Sequence, residues 1–288
     1  MQKIQLPSLG LMLFCATILA AAGLAAAEGV AVKPASFYEV KFRARVVKGL
    51  TLEEFPQLED LVPITASRFN NTGARFSGFN WQFRETEGGK AVPLPYLSAT
   101  PTLLYHREWR DFVLRLWTPE NATWFGLLPG RGVEVADVSI REAAPGDTLN
   151  VNPRFDMSDE YIPGWHLSNA AQFVKDRNGV NFVSAEEGSA VSDLFPVTPG
   201  ENVRVTLRGD PQRIGSRRGG LSASICFFGA FAESSGNKPF AGRAAMSVSV
   251  GKEGVSSRVY TVPAGKRWAR LTARGSAVYE CAATKAGN

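Results

Sequence analysis

The sequence predicts an all-β protein in which two sandwich-like domains follow one another. Three observations carry that expectation. Short segments alternate apolar and polar side chains, no convincing amphipathic helix interrupts them, and one series of motifs is written twice in the same order.

Residues 1–27 read as a secretory signal: Lys3, a nearly unbroken apolar run over residues 9–24, then Ala25, Ala26 and Ala27. Cys15 lies inside the run behind bulky Phe14, which argues against a lipoprotein. Cleavage near Ala27 leaves 261 residues with 31 basic and 27 acidic side chains. That mild excess, with no run of like charge, excludes a nucleic-acid footprint. No transmembrane segment is expected after cleavage. Cys226 and Cys281 remain, and an oxidising compartment makes one disulfide the simplest reading, two separate buried thiols being the other.

The strands follow in order. Tyr38, Val40 and Phe42 alternate with Glu39, Lys41 and Arg43; Phe79, Trp81 and Phe83 with Asn80, Gln82 and Arg84. Phe112, Leu114 and Leu116 alternate with Val113, Arg115 and Trp117, and Val203, Val205 and Leu207 with Arg204, Thr206 and Arg208. Period two places one face of each segment in a core and the other toward water. Residues 50–62 come nearest to a helix, and Pro56 interrupts them.

The repeat organises the chain. Residues 30–43 match residues 195–208, with Pro34 over Pro199 and Arg43 over Arg208. Residues 117–139 match residues 261–282, with Pro119 over Pro263 and Trp124 over Trp268. Between the paired prolines the first copy is 21 positions longer, which fits a loop insertion between Lys48 and about Arg75. The Pro/Gly-rich stretch at residues 143–153 separates domains at 28–147 and 148–288.

The second copy opens with "NPRFDMSDEYIPGWHLSN" (residues 152–169), followed by "FPVTPGENVRVTLRG" and "VYTVPAGKRWARLTARG". In that order these motifs resemble the jelly-roll carbohydrate-binding modules of the CenC or family 4/9 type, within the galactose-binding-like sandwiches. The first copy lacks the opening strand. The resemblance implies two tandem jelly-roll β-sandwich domains and a free-standing, secreted, non-catalytic protein that binds a glycan or polysaccharide. It also implies a structural calcium, with Asp156 and Glu280 as the nominated ligands.

Sugar binding needs exposed aromatic faces flanked by hydrogen-bonding side chains. Trp81 shares a face with Phe79 and Phe83 and reads as core; Trp165 reads as packing. Trp268 lies with Arg270, Thr272 and Arg274, and Trp117 lies with Val113 and Arg115, on the faces opposite the apolar ones. Each tryptophan is either a ligand platform or the cover of a domain interface. Asn80, Gln82 and Arg84 form a polar row that would hydrogen-bond a ligand or merely be solvated. The candidate ligand-binding residues are therefore Trp268, Arg270, Trp117, Arg115, Asn80, Gln82 and Arg84. His106 and His166 fall in different copies, and neither a nucleophile elbow nor a phosphate loop appears. The alternative function is a structural or protein-interaction component of the cell envelope without sugar binding. Exposure separates the two: open tryptophans favour sugar, and burial between the copies favours a scaffold.

Overall fold

The computed structural model describes residues 29–54, 56, 77–94, 102–156, 161–168, 171–175, 181–210, 221–234, 243–247 and 254–287. The expected signal segment and most of the expected insertion lie outside the described residues. The first unit contains β1 (Val30–Ala31), β2 (Phe37–Val46), β3 (Gly78–Arg84), β4 (Ala91–Val92), β5 (Thr102–Leu103), β6 (Arg110–Trp117), β7 (Trp124–Pro129) and β8 (Val133–Glu142). The second contains β9 (Trp165–Ser168), β10 (Gln172–Lys175), β11 (Asn181–Ser192), β12 (Phe195–Pro196), β13 (Asn202–Gly209), β14 (Ser222–Phe228), β15 (Arg243–Ser247), β16 (Val255–Thr261) and β17 (Trp268–Lys285).

In the first unit one sheet runs β1-β7-β3-β4, with β5 also on β3, and the other runs β6-β2-β8. The alternation explains the pairing. Val40, Phe42, Ala44 and Val46 of β2 are buried, with Phe112, Leu114 and Leu116 of β6 beside them and Phe79, Trp81, Phe83, Phe125 and Leu127 facing them from the other sheet. Phe42 meets Phe79 edge-on at 4.9 Å and stacks on Phe112 at 5.4 Å.

The second unit repeats this plan with one strand fused. Residues 268–274 of β17 pair with β14, as β7 pairs with β3, and residues 278–285 pair with β13, as β8 pairs with β2. β16 pairs with β13 as β6 pairs with β2. Between the two halves of β17 sits Gly275 at φ +131°, where a Cβ would stand 2.5 Å from Leu221 Cδ2. Only glycine lets the strand turn there from its pairing with β14 to its pairing with β13. Before β2 and before β13 the chain makes the same left-handed step, at Ala35 (φ +48°) after Pro34 and at Gly200 (φ +84°) after Pro199. The repeat read from the prolines is therefore a repeat of strand pairing.

Two apolar clusters hold the chain together. One fills the second sandwich, with Phe173, Phe195, Val205, Leu207, Ile225, Phe227, Leu271 and Cys281 among its members. The other begins in the first sandwich and continues into the second unit through Tyr161, Leu194, Cys226, Phe228, Phe231 and Trp268. Phe228 pairs opposite Trp268 on the outward face of the β14–β17 sheet, and that face is covered by the first unit. Burying each of these large side chains is worth about 1.5–3 kcal/mol, so the junction is a joint core.

This geometry corrects the disulfide expectation: Cys226 and Cys281 are both buried and are not bonded to each other, which is the separate-thiol reading. Cys226 sits opposite Arg270 and belongs to the shared cluster, whereas Cys281 sits opposite Leu207 and belongs to the second sandwich's own cluster. The two thiols thus serve different cores. Burial, with the Glu280 charge adding, pushes the Cys281 thiol far above its ordinary range.

Candidate functional site

The first unit's β6-β2-β8 sheet turns a polar face outward, and the chain between the units folds back against it. Cross-strand register puts Glu39 of β2 directly between Arg115 of β6 and Arg141 of β8. Arg115 donates through Nε to Glu39 Oε2 at 3.1 Å. Arg141 donates through Nη2 and Nε to Oε1 at 2.6 and 3.1 Å, and Lys41 Nζ stands 3.4 Å from the same oxygen. The Glu39 side chain is only 6% exposed, while those of Arg115 and Arg141 are 55% and 66% exposed. The Arg141 contact holds the Glu39 carboxyl down at about 2; burial opposes this, and Arg115 and Lys41 assist it. The acid is therefore a fixed anion beneath two half-free guanidiniums.

Above this row lies a groove of about 790 Å³, a size suited to a small ligand or a short stretch of polymer. Phe37, Val113, Glu39, Arg115 and Arg141 line one side; Pro145, Leu149, Pro153, Asp156 and Pro163 line the other. The second wall is held by backbone-directed bonds. Asn150, 2% exposed, donates to Cys281 O at 3.0 Å and accepts from Ala283 N at 2.7 Å. Leu149 N donates to Ala283 O at 2.7 Å and Cys281 N to Pro153 O at 2.8 Å. Asn152, at φ +52°, donates to Asp156 O at 2.8 Å and Pro163 O at 3.1 Å, and its own carbonyl accepts from Trp165 Nε1 at 2.8 Å.

Of the residues singled out in sequence, Arg115 lies in this groove and Asp156 lines its far wall. Trp117 lies at the end of the same sheet face but is partly buried, 5.2 Å from Phe37 and packed against both apolar clusters. Trp268 and Arg270 do not stand on an open face: they are 2% and 1% exposed. Trp268 donates through Nε1 to Glu120 Oε2 at 2.9 Å and meets Phe231 edge-on at 5.2 Å. Arg270 lies with its guanidinium 5.3 Å from the Phe228 ring centre, and burial lowers its pKa. The polar alternation around Trp268 is real, and the first unit covers it.

Asn80, Gln82 and Arg84 are half-buried on the outer face of β3, opposite Leu128, Gly126 and Trp124 and away from the groove. Asn80 Oδ1 accepts from Trp81 N at 2.8 Å. For calcium the residues present do not fit. Glu280 faces the guanidiniums of Arg208 at 3.6 Å and Arg154 at 4.0 Å, and no group of three or more His, Cys, Asp or Glu side chains forms among the described residues. Calcium takes six to eight oxygens. His166 contacts Asp193 through Nε2 at 2.7 Å near the junction, 6.3 Å from the Trp81 ring.

Sequence reasoning missed Glu39, Arg141 and Asn150. Glu39 was visible as a polar position on β2, yet nothing local distinguishes a caged acid from a solvated one.

No protein-family model matches this chain, and no curated protein does. Among solved structures it is similar to the N-terminal CBM22-1–CBM22-2 tandem of Xyn10C from Paenibacillus barcinonensis, at 12% identity and TM-score 0.31 over 88% of this chain and 80% of that one. It is similar to the tandem CBM51 modules of a family 98 glycoside hydrolase from Streptococcus pneumoniae, at 10% identity and TM-score 0.22 over 90% and 80%. A third likeness is to the enzymatically active domain of tailspike protein 4 of bacteriophage CBA120, at 15% identity and TM-score 0.34 over 50% of this chain and 22% of that one. The first two of these are tandem carbohydrate-binding modules of families 22 and 51, and none of the three is close enough to lend this chain a ligand.

Proposed function

We propose that this chain is a secreted, non-catalytic glycan-binding protein that takes its ligand in the groove between the two units. The observation that supports the reading is the row Arg115–Glu39–Arg141 on the floor of a cavity of about 790 Å³. Glu39 fixes one edge of Arg141 and one nitrogen of Arg115, and both arginine side chains stay more than half exposed. Guanidiniums held in place by a buried partner donate to oxygen-rich ligands without first losing side-chain freedom. The narrower likeness to CenC-type modules belongs to this proposal as well.

Trp268 favours the second reading. Its burial between the units removes the aromatic platform that a sugar site would most readily use, and fits a structural or protein-interaction component of the cell envelope. A glycan array with the wild-type protein and Arg141→Ala distinguishes them. Glycan binding that Arg141→Ala abolishes supports the groove; the absence of binding to any glycan leaves the scaffold reading.

A further inference from the structure

We infer that the groove selects an acidic glycan, one bearing carboxylate or sulfate groups, over a neutral one; the inference rests on the glycan-binding reading above. Three cations, Arg115, Arg141 and Lys41, stand within 3.4 Å of the single Glu39 carboxylate. Of the other two acids lining the groove, Glu142 is taken by Lys33 at 2.6 Å, and Asp156 stands on the far wall, across from the guanidiniums. Arg141 gives Nε and Nη2 to Glu39 and Arg115 gives Nε alone, and both side chains line the cavity while more than half exposed. A planar guanidinium end matches the two oxygens of a carboxylate or two of a sulfate, and charge-assisted bonds of this kind are the strong ones.

The repeat supplies an internal control. With Pro34 over Pro199, Glu39 falls on Arg204, whose cross-strand partners are Val259 and Thr284 where Glu39 has Arg115 and Arg141. Arg204 is exposed and no acid is caged there. The second sandwich therefore folds without such a row at the matching position. A feature the scaffold does not need is accounted for by a ligand that needs two guanidiniums held still.

The test measures binding of the full chain to polygalacturonate, to dextran sulfate, and to neutral xylan and mixed-linkage glucan. Arg115→Gln/Arg141→Gln is compared with Arg204→Gln/Arg258→Gln, which removes equal charge from two exposed positions of the second unit. The expected result is binding to an acidic polymer that the groove variant weakens about tenfold or more and the control variant leaves intact, as lost charge-assisted contacts require. Polygalacturonate or dextran sulfate as the better ligand names the carboxylate or the sulfate as the group read. In the wild type alone, free galacturonate competes where galactose does not if carboxylate is read. Equal or stronger binding to the neutral polymers, or equal weakening by both variants, overturns the acidic preference and leaves glycan binding standing. No binding to any of the polymers overturns both.

Discussion

The Glu120 carboxylate of the first unit accepts the indole N–H of Trp268 of the second at 2.9 Å, and the backbone N–H of Phe231 at 3.1 Å. One acid thus caps the indole edge of a junction in which Trp268, Phe231 and Phe228 pack with Trp81 and Phe83. Glu120→Ala leaves two donors beside that junction without their acceptor and is expected to cost about 1–3 kcal/mol in urea unfolding. Trp268→Ala empties the centre of the shared core and is expected to cost about 3–5 kcal/mol. Fluorescence and far-UV circular dichroism transitions should coincide in the wild type, because one core spans both units. Transitions that separate in the wild type would sink the joint-core account.

A second expectation concerns the thiols. Cys226 and Cys281 are fully buried in different clusters, so neither reacts with an aromatic disulfide reagent in the native protein and both react after unfolding. Reducing agent leaves the melting temperature unchanged. A melting temperature that falls on reduction would show a bridge and contradict the separation of the two cores.

The linker is a wall of the groove because Asn150 fastens it to β17. Its amide serves one backbone carbonyl and one backbone N–H, Cys281 O and Ala283 N, at a site almost closed to water. Asn150→Ala strands both groups and should destabilise the chain by about 2 kcal/mol, with faster hydrogen exchange at Ala283. Asn150→Asp keeps the acceptor and loses the donor, so its cost in the same unfolding experiment falls short of the alanine's only if the Ala283 bond dominates.

The strands and the repeat were legible because they depend on local rules. Val40, Phe42 and Ala44 alternate with Lys41 and Arg43, and Pro34 and Pro199 each introduce a left-handed step before the same central strand. What lay beyond the sequence was the neighbour of each polar face. Arg270 and Arg115 both occupy polar positions beside a tryptophan on an alternating strand, yet Arg270 is 1% exposed beneath the first unit and Arg115 lines an open groove. Alternation reports two faces and leaves open what covers them. Glu39 shows the same limit: its two arginines lie 76 and 102 residues away, joined to it only by strand register.

Glu39 gives the pH expectation. Its carboxyl is lowered from an ordinary 4.5 to about 2 by Arg141, with Arg115 and Lys41 assisting against the opposing effect of burial. A carboxyl depressed in the folded state contributes stability that is fully present above the unfolded value and is lost as pH falls through the folded one. The wild type should therefore lose stability between about pH 4.5 and pH 2, and Glu39→Gln should flatten this part of the acid limb. At neutral pH the same variant is less stable, because three cations then crowd a neutral amide. An acid limb identical in wild type and Glu39→Gln would show that the cage does not act on the fold.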